Sequence, residues 1–161
     1  MLSWIKSIFA PPKPAGPPES LKTYSPSDAV LANDNIGVGV NVDLDDDAWK
    51  IEFAGIDSVA LFEYPIEDTE NCILTYRATM KSEGLKGRSY QEMWCRLPDK
   101  GEFFSKGIDN PVIGNTDWKV YEVPFHLKKD QKPDLLKINV FGEGTGTVWI
   151  KDIEILKTPL A

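Results

Sequence analysis

The sequence holds little of what most protein chemistry uses. It has one histidine, His126, and two cysteines, Cys72 and Cys95. No HExxH or CxxC pair occurs, so zinc chemistry lacks its ligands. A Ser/His/Asp or Cys/His arrangement would have to run through His126, which sits just past a strand in Pro124-Phe125-His126-Leu127, where an exposed or structural role is common. Two cysteines cannot build a disulfide framework. Both fall on apolar strand faces and read as packed free thiols. Positive charge is scarce: 18 Lys and Arg against 25 Asp and Glu give −7, which disfavours nucleic acid. No Asn-x-Ser/Thr sequon is present, and no apolar run approaches the roughly 18 residues of a membrane span. Past residue 20, no segment holds a helical period for ten residues.

What remains is a 161-residue chain, 42% hydrophobic, long enough for one domain with a sizeable core. Residues 1–9 read MLSWIKSIF. On a helix, Met1, Leu2, Trp4, Ile5, Ile8 and Phe9 form one wide apolar face beside Ser3, Lys6 and Ser7. The charge inside the apolar stretch, with no cleavage site after it, makes a poor signal peptide. Two readings stand: an anchor to a membrane surface or a protein partner, or a tail folded back on the domain. With no export signal or span recognised, a cytoplasmic or peripheral-membrane location is expected. Residues 10–20, rich in proline, read as an extended spacer rather than an SH3-type ligand. The domain is expected over residues 21–161.

That domain reads as short strands and turns. The organising stretch runs from Cys72 to Leu97. Cys72, Leu74, Tyr76, Ala78 and Met80 alternate on one face, as do Gln91, Met93, Cys95 and Leu97 further on. Residues 82–88 contain Gly84 and Gly87, so the two arms are expected to form a hairpin. Ser25 to Asp28 can cap one helical turn. Further strands are expected over 36–42, 49–53, 59–64, 101–105, 118–125, 135–141 and 147–156, the last two joined by a hairpin turn at Gly142-Glu143-Gly144-Thr145-Gly146. Those glycines are not a phosphate loop, which needs a helix after it. About eight short antiparallel strands predict an all-β jelly-roll sandwich. In the last strand, apolar parity switches from Val148 and Ile150 to Ile153 and Ile155, which predicts a β-bulge near Lys151-Asp152. Trp149 is left facing away from the core.

The acidic run of Asp43, Asp45, Asp46 and Asp47 fails as an EF-hand: the sixth and twelfth positions from Asp43 are Ala48 and Ala54, where glycine and glutamate are needed. A solvated acidic loop is expected. The informative set is Tyr90, Glu92, Trp94 and Arg96, which alternate on the face opposite the core. If the hairpin pairs in a conventional register, Thr75, Arg77 and Thr79 share that face. An indole flanked by carboxylate and guanidinium groups suits a sugar: the ring stacks on C–H faces and the charged groups take hydroxyls. The competing reading is structural, with Glu92 ion-paired to Arg77 or Arg96. Glu92 is also the best single candidate for a hydrolase carboxylate, but no partner carboxylate presents itself.

The C-terminal half carries a family pattern. Trp118-Lys119-Val120-Tyr121 and the closing Gly146-Thr147-Val148-Trp149-Ile150-Lys151-Asp152-Ile153-Glu154-Ile155 resemble the last strands of galactose-binding-like jelly rolls, including many non-catalytic carbohydrate-binding modules. The resemblance covers roughly residues 70–157. It implies the jelly-roll fold and, more weakly, ligand binding, because this fold hosts binders of sugar, lipid and protein. In several such modules an acidic residue of the last strand helps hold a structural calcium. Here Lys151 replaces the first acid of the pair, leaving Asp152 and Glu154 as weak candidates; no other cofactor is expected. The sequence therefore predicts a non-catalytic module binding a carbohydrate or similar polar ligand. Trp94 would be the stacking platform, Glu92 and Arg77 the hydrogen-bonding clamp, and Tyr90 and Arg96 the rim. The alternative is a scaffold protein, tethered through residues 1–9, whose sandwich surface contacts protein.

Overall fold

The computed structural model describes residues 13–25 and 41–161. The N-terminal segment 1–9, residues 26–28 of the expected cap and residues 36–40 of the strand expected over 36–42 lie outside the described residues. Among those described, no helix is long and apolar enough to cross a membrane.

Among the described residues seven strands form: β1 (Glu19–Tyr24), β2 (Asn41–Asp45), β3 (Ala48–Pro65), β4 (Cys72–Leu97), β5 (Gly101–Lys106), β6 (Val112–Leu127) and β7 (Leu135–Pro159). All pairings are antiparallel. The order β2-β3-β7-β4-β5 is joined by β1 on β7 and β6 on β4. The architecture is the all-β sandwich expected, but it is built from fewer, longer strands.

The Cys72–Leu97 stretch is not a hairpin. It is one strand, and β7 pairs with it along its whole length, from Cys72 opposite Pro159 to Arg96 opposite Leu135. The expected hairpin turn at residues 142–146 is likewise the middle of β7. The glycines act as a crease instead of a turn. Gly87 lies opposite Gly144. A Cβ on Gly87 would overlap the Glu143 carbonyl, and one on Gly144 the Lys86 carbonyl. Both have positive φ, at 94° and 141°, a region other residues seldom enter. Bare backbone there lets two strands bend together at close approach, and their ladder resumes past a register shift between Glu83 and Lys86.

Bent this way, the ladder makes both layers of the sandwich. The first layer holds residues 72–83 of β4 and 147–159 of β7, with β6 and β1. The second holds residues 86–97 and 135–145, with β5. β3 crosses from one to the other, pairing β7 from Trp49–Ile150 to Pro65–Leu135. The expected apolar faces meet between the layers: Leu74, Tyr76, Ala78 and Met80 on one side, Met93, Cys95, Leu136, Ile138 and Val140 on the other, all without exposure. Two polar ties join the layers. Gln91 Nε2 donates to the carbonyls of Tyr76 (3.0 Å) and Tyr121 (3.2 Å), and Tyr76 Oη donates to the Asn139 carbonyl (3.2 Å). Each satisfies a buried polar group that would otherwise cost about 1–3 kcal/mol.

Cys72 and Cys95 are free and buried. Burial pushes the Cys95 thiol up to about 12, with smaller contributions from Cys72 and Asp134, so it packs as a hydrophobe. The expected bulge is present. Arg77 faces Glu154 and Thr79 faces Lys151, so Asp152 and Ile153 share one partner, and Asp152 takes φ 51°. Residues 14–20, read from sequence as linker, lie along the C-terminus: Pro14 bridges Leu160 and β1 pairs β7 from Glu19 opposite Lys157.

Candidate functional site

The outer face of the second layer carries a cleft of about 420 Å³, within the roughly 300–1,000 Å³ range of small-molecule sites. Its floor comes from strand parity. Met93 and Cys95 face the core, so Glu92 and Trp94 face outward. On β7, Ile138 and Val140 point inward, which turns Lys137, Asn139 and Phe141 to the same side. β3 adds Ser58, Ala60 and Glu63, and β5 adds Glu102 and Lys106.

Glu92 is the centre. Although on the outward face, it is only 3% exposed. Its Oε1 accepts hydrogen bonds from Ser58 Oγ (2.9 Å), Asn139 Nδ2 (2.9 Å) and Trp94 Nε1 (3.0 Å). Its Oε2 takes none of these; it lies 3.5 Å from Lys106 Nζ. Desolvation pushes the carboxyl's pKa up, but the bonds from Asn139, Trp94 and Ser58 and the charge of Lys106 outweigh it, and the net shift is downward. Glu92 is therefore held ionised with one oxygen saturated. Because Asn139 donates through Nδ2, its Oδ1 points away from the carboxylate. That oxygen is buried and has no hydrogen-bond partner among the described residues.

Aromatic groups flank the carboxylate. The Trp94 ring lies 5.1 Å from Phe104, tilted by 56°, and Phe104 is 55% exposed. Phe141 is backed by Tyr90 at 5.3 Å, nearly parallel. Lys106 sits over both Phe141 (4.7 Å) and Phe104 (5.0 Å). Lys137 pairs with Glu102 at 2.8 Å. Three carboxylates against two ammonium groups leave the cleft slightly negative, the wrong sign for an anion.

The structure gathers only part of the sequence-derived set. Glu92 and Trp94 line the cleft. Tyr90 is not a rim residue: it is buried, with Phe141 on one side and Arg88 at 5.4 Å. Arg96 follows on the same face but lies outside the cleft lining, and its guanidinium is engaged by Asp134 at 2.8 and 3.2 Å. Arg77 lies on the other layer, facing the opposite way, where it pairs with Glu122 (2.8 Å) and Glu154 (3.3 Å). Its shared face with Trp94 depended on a hairpin that does not form. Thr75 and Thr79 go with it. The expected pairing of Glu92 with an arginine is replaced by Lys106. Of the two calcium candidates, Glu154 has both oxygens engaged, by Arg77 and by Ser20, and no group of three or more metal-ligating side chains occurs among the described residues.

Sequence reasoning missed Ser58, Asn139, Phe141 and Lys106. Asn139 and Phe141 were visible as the outward positions of an alternating strand. Ser58 and Lys106 carried no local signal.

No protein-family model matches the chain, and no curated protein sequence does. Solved structures do resemble it. The family 22 carbohydrate-binding and catalytic modules of a Clostridium thermocellum xylanase, complexed with xylohexaose, align with TM-score 0.56 at 10% identity, covering 76% of this chain and 25% of that one. The chain thus spans about a quarter of that protein. A family 4 carbohydrate-binding module aligns with TM-score 0.53 at 16% identity, covering 81% and 85%. The chain shares its jelly-roll fold with these modules. The fold is not confined to such modules: a Stig cyclase from Fischerella sp. TAU, in complex with a pyrrolidinylidene-indole, aligns with TM-score 0.57 at 14% identity, covering 87% and 85%.

Proposed function

We propose that the Glu92–Trp94 cleft binds a carbohydrate, or a similarly polyhydroxylated neutral ligand, without chemical turnover. The observation that carries this reading is the buried, ionised Glu92, with one oxygen fixed by three donors and the other beside Lys106. A carboxylate held so firmly is an acceptor for hydroxyl groups, and the neighbouring ammonium is a donor to them. Trp94 and Phe104 offer apolar ring surface to C–H faces. The slight negative balance of the cleft favours an uncharged ligand. The carbohydrate-binding modules among the structural neighbours support the same class of ligand.

Glu92 is not suited to be the general acid of a glycoside hydrolysis. A general acid at neutral pH needs a raised pKa, and Glu92 is shifted the other way. The test is a glycan array probed with the full chain, beside Trp94→Ala and Glu92→Gln. Saturable binding weakened in both variants, with the glycan recovered intact, supports the reading. No binding to any glycan, binding unaffected by either change, or release of shortened products overturns it.

A further inference from the structure

The outer face of the first layer carries a second built arrangement. The register sets Trp149 opposite Lys50 on β3 and opposite Lys81 on β4. On β6, Thr116 and Lys119 face Ser82 and Met80, so Trp118 flanks Lys81 on its far side. The contacts follow the register. Lys81 Nζ lies 4.8 Å from the Trp149 ring centre and 4.9 Å from that of Trp118. Lys151 Nζ sits 4.2 Å from Trp118. Trp149 Nε1 donates to Asp45 Oδ2 at 2.9 Å, which fixes the indole edge.

The core needs none of this row. Met80, Ser82, Val148 and Ile150 on the same strands are buried beneath it. Neither Lys81 nor Lys151 forms an ion pair among the described residues. Strands about 4.8 Å apart place the two indoles about 10 Å from each other across β7, β4 and β6, a gap that linked sugar rings bridge. Clefts of about 240 and 570 Å³ open beside them, both bordered by Lys81 and Trp149. Asp45, Asp46 and Asp47 close the smaller; Glu83 and Asp117 border the larger. Three aspartates against Lys81 and Lys151 in the smaller cleft, and Glu83 and Asp117 against Lys81 in the larger, leave the surface slightly negative, the wrong sign for an anion.

We propose that this face is a second glycan-binding surface, for an uncharged oligosaccharide lying across the strands. Sugar rings stack on Trp149 and Trp118, and Lys81 between them donates to hydroxyl oxygens. Lys81 lies over both rings, so its flexible side chain swings aside to admit the sugar and stays within reach of the hydroxyls. The proposal shares with the reading of the Glu92 cleft only the class of ligand; it uses different residues on the opposite side of the sandwich. A chain with both faces holds two glycan strands at once.

The test follows the indole N–H signals of the ¹⁵N-labelled full chain, assigned by single Trp→Phe changes, during titration with xylohexaose, cellohexaose and mannohexaose. The expected result is saturable movement of the Trp118 and Trp149 signals with at least one hexasaccharide, retained in Trp94→Ala. Lys81→Ala, a surface change that spares the core, should weaken that binding at least tenfold, read on Trp118. If the Trp94 signal stays still while Trp118 and Trp149 move, the second surface stands and the Glu92 cleft reading falls. Movement confined to Trp94, movement of Trp118 and Trp149 that Trp94→Ala abolishes, unaltered affinity in Lys81→Ala, or no movement with any of the three hexasaccharides overturns the proposal.

Discussion

Replacing Glu92 by glutamine isolates the charge at the centre of the cleft. The side chain keeps its shape, and its amide oxygen can still accept from Ser58, Asn139 and Trp94. Hydrogen bonds to a charged group contribute about 1.5–3 kcal/mol each and neutral ones about 0.5–1.5, so three such bonds lose about 3 kcal/mol together. Removing a buried charge recovers part of this, because the native carboxylate was stripped of water. The net expectation is a loss of about 2 kcal/mol in unfolding free energy at pH 7. The pH dependence carries the sharper test. Glu92 has a lowered pKa in the folded chain, so in the acidic window the unfolded state binds more protons. Its contribution is fully present above the unfolded-state pKa and is lost as pH falls through the folded one. The gap between the two proteins should therefore be widest at neutral pH and shrink from about pH 5 downward. Denaturant titrations at a series of pH values measure it, with the m-value checked for constancy. Equal stability at pH 7, or a gap unchanged in acid, would refute the charge-centred account of the cleft.

Four further outcomes are expected. Trp94→Ala, made in a Lys81→Ala background that weakens the second face, should weaken glycan binding at the Glu92 cleft at least tenfold, about 1.4 kcal/mol, in calorimetric titration. Arg77→Ala should leave that binding unchanged and cost under about 1 kcal/mol of stability, as removal of exposed ion pairs does; a loss of binding would place Arg77 in the site after all. Gly144→Ala should destabilise by several kcal/mol, because its Cβ would strike the Lys86 carbonyl, whereas Gly84→Ala, with open space around it, should cost only about 1–2 kcal/mol of left-handed strain; thermal or denaturant midpoints compare the two. Gln91→Leu should cost about 2–3 kcal/mol by leaving the buried Tyr76 and Tyr121 carbonyls without their donor, read by the same denaturant titration.

Strand parity was written plainly in the sequence. The alternation of Cys72 to Met80 and of Gln91 to Leu97 fixed which side chains are core, and the shift from Ile150 to Ile153 located the bulge. What alternation does not contain is the path of the chain between alternating segments. Gly84 and Gly87 serve a hairpin turn as well as they serve a crease, and only the glycines of β7, lying opposite, decide the matter. That one ambiguity moved Arg77 to the far side of the molecule. The partners of Glu92 were hidden for a related reason. Ser58, Lys106 and Asn139 come from three other strands, and the register that brings them together is set by long-range pairing, which a local pattern does not record. The burial of Tyr90 and Glu92 has the same origin: their outward parity was legible, but the side chains from β3, β5 and β7 that cover them were not.

The most direct test is a crystal structure of the chain bound to the glycan that it retains best on the array. The account predicts a sugar ring over the Trp94 indole and a hydroxyl within hydrogen-bond distance of Glu92 Oε2, with Lys106 on the same sugar. A glycan seated elsewhere, with the Glu92 cleft empty at saturating ligand, would contradict it.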